Sequence, residues 1–181
     1  MDQLQGLVAR DQIHQLADRY AVAVDAKDLD GLARLFVEDV DNGRYGRGRE
    51  GLKLFYDHVV SNHVHGAMEV TEHVIDFIDD DHAEGVVYCR AHHHVVEPEH
   101  WFDLSLAYWD TYQRVGDRWF FSRRRLKSWY RQEFGHPSHG SERVVASSGD
   151  QGPTRGMRMP EAFATFQPFW DRPAAPAPPT D

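Results

Sequence analysis

Asp25 closes the stretch Tyr20-Ala-Val-Ala-Val-Asp25, where a carboxylate directly follows four small apolar residues. Removing an ionised carboxylate from water costs several kcal/mol, so a chain that keeps one in such company pairs it or uses it. Desolvation raises a carboxyl pKa, and an acid raised toward neutrality is a usable general base. Such a base takes a proton from an acidic C–H and drives elimination or isomerisation, with a contribution of about 10²–10⁴-fold in rate. Tyr20, one turn earlier, carries a hydroxyl suited to stabilising a developing enolate or protonating a leaving group. The plain alternatives are an Asp25 that bonds its own helix end and faces water, and a Tyr20 that belongs to the core. Twelve histidines add acid–base capacity, and His92-His93-His94 concentrates three of them in one segment.

These groups need elements to hold them. From Val8 to Lys27, apolar residues at Ile13, Leu16, Ala17, Tyr20 and Val24 recur at helical spacing. Asp28 is placed to cap a second helix from Leu29 to Phe36. Asp41-Asn42-Gly43 and Gly46-Arg47-Gly48 read as turns around a short strand at Tyr45. A third helix follows over Arg49 to Ser61, with Leu52, Phe55, Tyr56 and Val59 on one side. Four strand-like segments then cover 68–79, 83–96, 101–114 and 118–132. Helices first and an antiparallel meander after them predict an α+β fold, a curved sheet wrapped over the helices with a pocket between the layers.

Strand alternation predicts which side chains face that pocket. Ala83, Gly85, Val87, Cys89 and Ala91 share one face of their strand, and His93 falls on it too. Phe102, Leu104, Leu106 and Tyr108 form the apolar face of the next. Ala91, Leu106, Tyr108 and Tyr56 are therefore candidate wall residues. In Arg123-Arg124-Arg125, alternation sends Arg124 inward, either held by a carboxylate or free to anchor a substrate oxygen. His92 and His94 share the opposite face, where Glu97 or His100 would complete a zinc set. No HExxH or paired-cysteine motif supports that, and the expectation is no metal and no cofactor. His63 and His65 read as solvated linker residues, and His73 has no assigned face.

A net charge of -9 and a pI near 5.7 disfavour nucleic acid and anionic membranes as partners. Cys89 is the only cysteine, so no intrachain disulfide forms and a reducing cytoplasm is expected. The first twelve residues lack a signal peptide's basic start and apolar block, and no run approaches the roughly 20 apolar residues of a membrane span. Residues 133–181 read as an extension rich in proline and glycine after a domain over 5–132. A short helix is predicted over 160–167, and Phe163, Phe166, Phe169 and Trp170 predict that the segment docks on the domain or on a partner subunit.

Over about residues 8–132 the chain resembles the SnoaL-like, polyketide-cyclase-like branch of the nuclear transport factor 2 superfamily. The resemblance rests on Tyr20-x4-Asp25, on Asp28-Leu-Asp-Gly-Leu-Ala-Arg-Leu-Phe36 and on Tyr112-x-Arg114-Val-Gly-Asp-Arg-Trp119-x4-Arg124. It implies an α+β cone with an apolar pocket, commonly in a homodimer or homotrimer, binding a small hydrophobic molecule. It also implies acid–base chemistry like that of scytalone dehydratase or hexachlorocyclohexane dehydrochlorinase. Asp25 matches the carboxylate base of such enzymes, Tyr20 a tyrosine some of them use, and Arg124 a pocket arginine. Their catalytic histidine and the asparagine four residues on are replaced by Met68 and Glu72, which then line the site instead. His93 is the expected substitute partner for Asp25. A non-catalytic module, similar to the small subunit of ring-hydroxylating dioxygenases, is the other reading.

Overall fold

The computed structural model describes residues 2–96, 99–134 and 163–179. Helix α1 spans Gln3–Asp25, and its start is fixed by a capping box in which Asp2 and Gln5 each bond the other's backbone N–H. Ala9, Ile13, Leu16, Ala17, Tyr20 and Val24 form its buried stripe. Asp28 accepts the Gly31 N–H at 2.7 Å and so caps α2 as the sequence predicts, but the helix covers Leu29–Ala33 and stops short of Phe36, which bridges Phe121 instead. The expected strand at Tyr45 is instead a 3₁₀ turn over Gly43–Tyr45, with only an isolated bridge between Asp41 and Arg47 beside it. Left-handed backbone at Gly43 and Gly46 curls this segment too tightly for a ladder. Helix α3 covers Arg49–Val60.

Four antiparallel strands follow in simple order, β1 (His63–Phe77), β2 (His82–Val96), β3 (Glu99–Val115) and β4 (Arg118–Phe134). The sheet closes over α1, and Phe36, Val87, Leu106, Tyr112 and Phe121 are among its buried contacts. Besides the register shift between His63 and His65 at the start of β1, three bulges set which side chains point inward. In β1, Val70 faces Cys89 while His73 faces Val87, so one extra residue switches the inward set from even to odd positions. In β4, Ser122 is the extra residue between the pairs Thr111–Arg123 and Tyr112–Phe121. That insertion lets Phe121 and Arg124, three apart, share the interior. A third lies at Trp129, between the pairs Ser105–Tyr130 and Leu106–Ser128. No helix of the described residues is long and apolar enough to cross a membrane.

The extension does dock, onto this chain's own domain. Its helix α4 is Phe166–Asp171, later than the predicted 160–167, of which 160–162 lie outside the described residues. Phe166 and Phe169 are buried, Thr165 Oγ1 donates to the Ala26 carbonyl at 2.7 Å, and Arg172 makes a two-pronged ion pair with Asp57 on α3. His58 Nε2 reaches the Pro176 carbonyl at 2.6 Å. Phe169→Ala is expected to lower unfolding stability by about 3 kcal/mol, the usual loss for a buried phenylalanine. Urea denaturation of the full chain measures it, and a loss below about 0.5 kcal/mol would show that α4 contributes nothing to the fold.

Candidate active site

Helix α1 ends in a Schellman motif. Asp28 N–H bonds the Ala23 carbonyl, Lys27 N–H bonds Val24, and Lys27 itself takes a left-handed backbone at φ 56°. Asp25 sits in the last turn and reaches β1, where its Oδ2 accepts the Met68 N–H at 3.1 Å. Its other oxygen, Oδ1, is buried without a hydrogen-bond partner. Burial raises the Asp25 pKa to about 6, against the opposing pull of the Met68 bond and the Lys27 charge. Lys27 is 5% exposed, and burial lowers its pKa to about 8 although Asp25 works the other way.

His93 and His63 form the neighbouring wall. Their rings stack at 4.5 Å between centroids, with Phe102 against both. Burial, then mutual repulsion with His63, depresses His93 to about 3. Burial, then the Lys27 charge, depresses His63 to about 4. Gly66 makes the packing possible, since a Cβ there would stand 2.7 Å from His93 Nδ1. His93 faces inward as the alternation predicts, and its Nδ1 is buried without a partner. It does not pair with Asp25, however, and as a desolvated neutral ring it cannot deliver a proton as imidazolium. Among the described residues no imidazole bonds Asp25; the charged neighbour it has is Lys27.

Tyr20 belongs to a second buried cluster. The Arg124 side chain is 3% exposed, and its Nε and Nη2 donate to Asp110 at 3.0 and 2.7 Å. Its guanidinium lies 4.1–4.2 Å from the ring centres of Tyr20, Tyr108 and Phe121. The Tyr56 and Tyr108 rings pack edge-on against Tyr20 at 5.8 and 5.5 Å between centroids, and burial raises the pKa of all three. Tyr112 donates to Asp110 Oδ2 at 3.0 Å, and His73 Nε2 lies 2.9 Å from that hydroxyl. Burial works against the Arg124 charge, but Asp110 outweighs it and the guanidinium stays ionised. Arg124 is thus held by a carboxylate, the plainer of the two readings, and the substrate-anchoring role loses two of its donors.

The expected site is therefore divided. Asp25, Met68 and His93 stand with Lys27 and His63, while Tyr20, Tyr56, Tyr108 and Arg124 form the core cluster. Cys89, whose pKa burial raises to about 11, feels both Arg124 and Asp25. Ala91 and Leu106 are buried as expected. Glu72 is not a wall residue: it sits in the β1 bulge, exposed, with Thr71 Oγ1 bonding its carboxylate at 2.5 Å. His92 faces out to Asp103 at 2.6 Å, and His94 stacks on Trp101. Glu97 lies outside the described residues, among which no group of three or more metal-ligating side chains is arranged to hold an ion.

Sequence reasoning missed Lys27, His63, Asp110 and Tyr112. Asp110 and Tyr112 continue the even face of β3, so alternation carried two steps further finds them. His63 was hidden because β1 starts five residues before the predicted 68, within polar sequence. A cavity of about 490 Å³ opens between α2, α3 and the α4 segment, lined in part by Lys27, Asp28, Thr165, Phe169 and Arg172.

The SnoaL-like domain model matches residues 5–125. No curated protein is detectably similar. LinA is 22% identical, with a TM-score of 0.70 over 77% of this chain and 99% of its own. The hexachlorocyclohexane dehydrochlorinase LinA-type3 of Novosphingobium barchaimii is 21% identical, with a TM-score of 0.68 over 75% and 97%. A candidate scytalone dehydratase of Novosphingobium aromaticivorans is 24% identical, with a TM-score of 0.63 over 74% and 92%. At such identities the likeness is one of fold.

Proposed function

This chain belongs to the SnoaL-like domain family, and from that premise we propose that it is an acid–base enzyme of the lyase or isomerase type. It would work without a cofactor on a small, hydrophobic, oxygenated ring compound. The observation that carries the reading is Asp25, a desolvated carboxylate whose buried Oδ1 has no partner and whose pKa is raised to about 6. An unused acceptor in a dry position is what a carbon acid needs as its base. Asp25 abstracts the proton, and the Lys27 charge beside it favours the ionised form that does so. His93 and His63, both depressed by burial, and the Met68 backbone that bonds Asp25 border the site. Dehydrochlorinase and dehydratase neighbours of the same fold support this class of chemistry by analogy.

A pH–rate profile tests it. On β-hydroxyketones and unsaturated ring ketones, kcat/KM is expected to rise tenfold per pH unit below about 6 and to level above it. A flat profile through that region would remove Asp25 as the base. That no imidazole among the described residues bonds Asp25 favours a second reading, a binding module without turnover. Ring compounds would then bind with the same pH dependence and be released unchanged.

A further inference from the structure

Lys27 stands where a helix end asks for glycine. It occupies the left-handed C′ position of the Schellman motif, which costs a residue with a Cβ about 1 kcal/mol or more. It is the one non-glycine residue with positive φ among the described residues. Its side chain is also nearly buried, although lysine is among the residues least often placed inside. The Asp25 charge acts on it, but among the described residues no carboxylate or carbonyl holds its Nζ by a close ion pair or hydrogen bond. Strained backbone under a mostly buried lysine whose amine end is not sealed from solvent marks a residue kept for what it does.

Its surroundings say what that is. Lys27 lines the open cavity of about 490 Å³ bordered by the α4 segment, large enough for a small ring compound. On its other side its charge is felt by Asp25, His63 and His93. We propose that Lys27 is a reactive amine that condenses with small aldehydes and ketones and holds them as an imine in this cavity. The amine lone pair attacks the carbonyl carbon and forms the C–N bond, while the carbonyl oxygen takes a proton from the protonated Asp25. The carbinolamine nitrogen returns a proton to the Asp25 carboxylate. Asp25 then protonates the hydroxyl, which leaves as water as the nitrogen lone pair closes the C=N bond. The sum is carbonyl plus free amine plus carboxylic acid giving iminium plus carboxylate plus water, and no oxidant is needed. Burial supports the step by lowering the amine toward about 8, which leaves a reactive free-base fraction at neutral pH.

The inference rests on the acid–base reading of Asp25 for its proton carrier, but not on turnover. The chain has three lysines, which makes the test clean. Lys53 is held by Glu50 and Asp30, whose bonds raise its pKa, and Lys127 lies exposed on β4. The full chain is incubated with cyclohexanone and cyanoborohydride at neutral pH, and the peptides are mapped by mass spectrometry. Reductive alkylation is expected at Lys27 about tenfold faster than at Lys127, with that preference gone in urea. Labelling that follows exposure, Lys127 first and Lys27 last, overturns the proposal, as does a Lys27 preference that survives unfolding. Turnover without labelling at Lys27 overturns this inference alone; labelling without turnover on any ring ketone overturns the acid–base reading alone.

Discussion

Asp25→Asn is expected to lower turnover by about 10²–10⁴-fold and, at pH 7, to make the protein more stable. Both effects have one cause. Burial raises the Asp25 carboxyl from 3.8 in an open chain to about 6 in the fold, so the folded state holds its proton more tightly than the unfolded state. Below pH 4 both states are protonated and the group is neutral in each. Between about 4 and 6 the unfolded chain releases the proton first, and stability falls as pH rises through that window. Above 6 the full cost is present. The pKa difference corresponds to about 3 kcal/mol, and to about 1–2 once the water reaching a half-buried carboxyl is allowed for. Asparagine removes the charge, keeps an oxygen for the Met68 N–H and escapes most of that cost. Part of the gain is offset, because Lys27 loses the negative charge that favours its ammonium. The net expectation is about 1 kcal/mol, or roughly 2–4 °C in Tm, at pH 7 and none below pH 4. Urea titrations of parent and variant at both pH values check it. A variant less stable than the parent at pH 7, or one fully active, would show that Asp25 is a structural carboxylate.

That trade separates what the chain shows on its face from what it conceals. Helices first and strands after, the Asp28 cap and the inward parity of His93, Leu106 and Tyr108 follow from local periodicity, which needs no tertiary context. The Asp25 environment was also legible, because four small apolar neighbours announce desolvation. Bulges are different. The extra residue at Ser122 changes which arginine points inward relative to Phe121, and nothing in Phe120-Phe-Ser-Arg-Arg124 marks it. Alternation still placed Arg124 correctly, but not its carboxylate, since Asp110 lies fourteen residues away and meets it only across the ladder. Lys27 was hidden for another reason. Past a helix end neither 3.6 nor 2 applies, and a lysine after Asp25-Ala26 reads as solvated. Only the backbone angle and the burial set it apart.

Asp110→Leu is expected to cost about 3–5 kcal/mol, the largest stability loss of any single substitution considered. The Asp110 side chain is fully buried, and the variant leaves the Arg124 guanidinium enclosed by Tyr20, Tyr108 and Phe121 with no counter-charge. Stacking on three rings favours the cation by about one or two kcal/mol, too little to replace two charge-assisted hydrogen bonds. The Tyr112 hydroxyl still has His73 Nε2 as a hydrogen-bond partner, so the loss stays centred on the arginine. Against a total stability of about 5–15 kcal/mol, the single variant sits near unfolding. The double variant Asp110→Leu with Arg124→Met separates structure from chemistry. Desolvating two ions roughly cancels their attraction, so removing both with apolar groups of similar size is expected to recover most of the stability. If the pair only fills the core, the recovered protein also keeps its ring-compound chemistry at Asp25. Stability recovered without that activity would return Arg124 to the site as the anchor the sequence first suggested, and a double variant as unstable as the single one would show that the charges organise the core rather than merely occupy it.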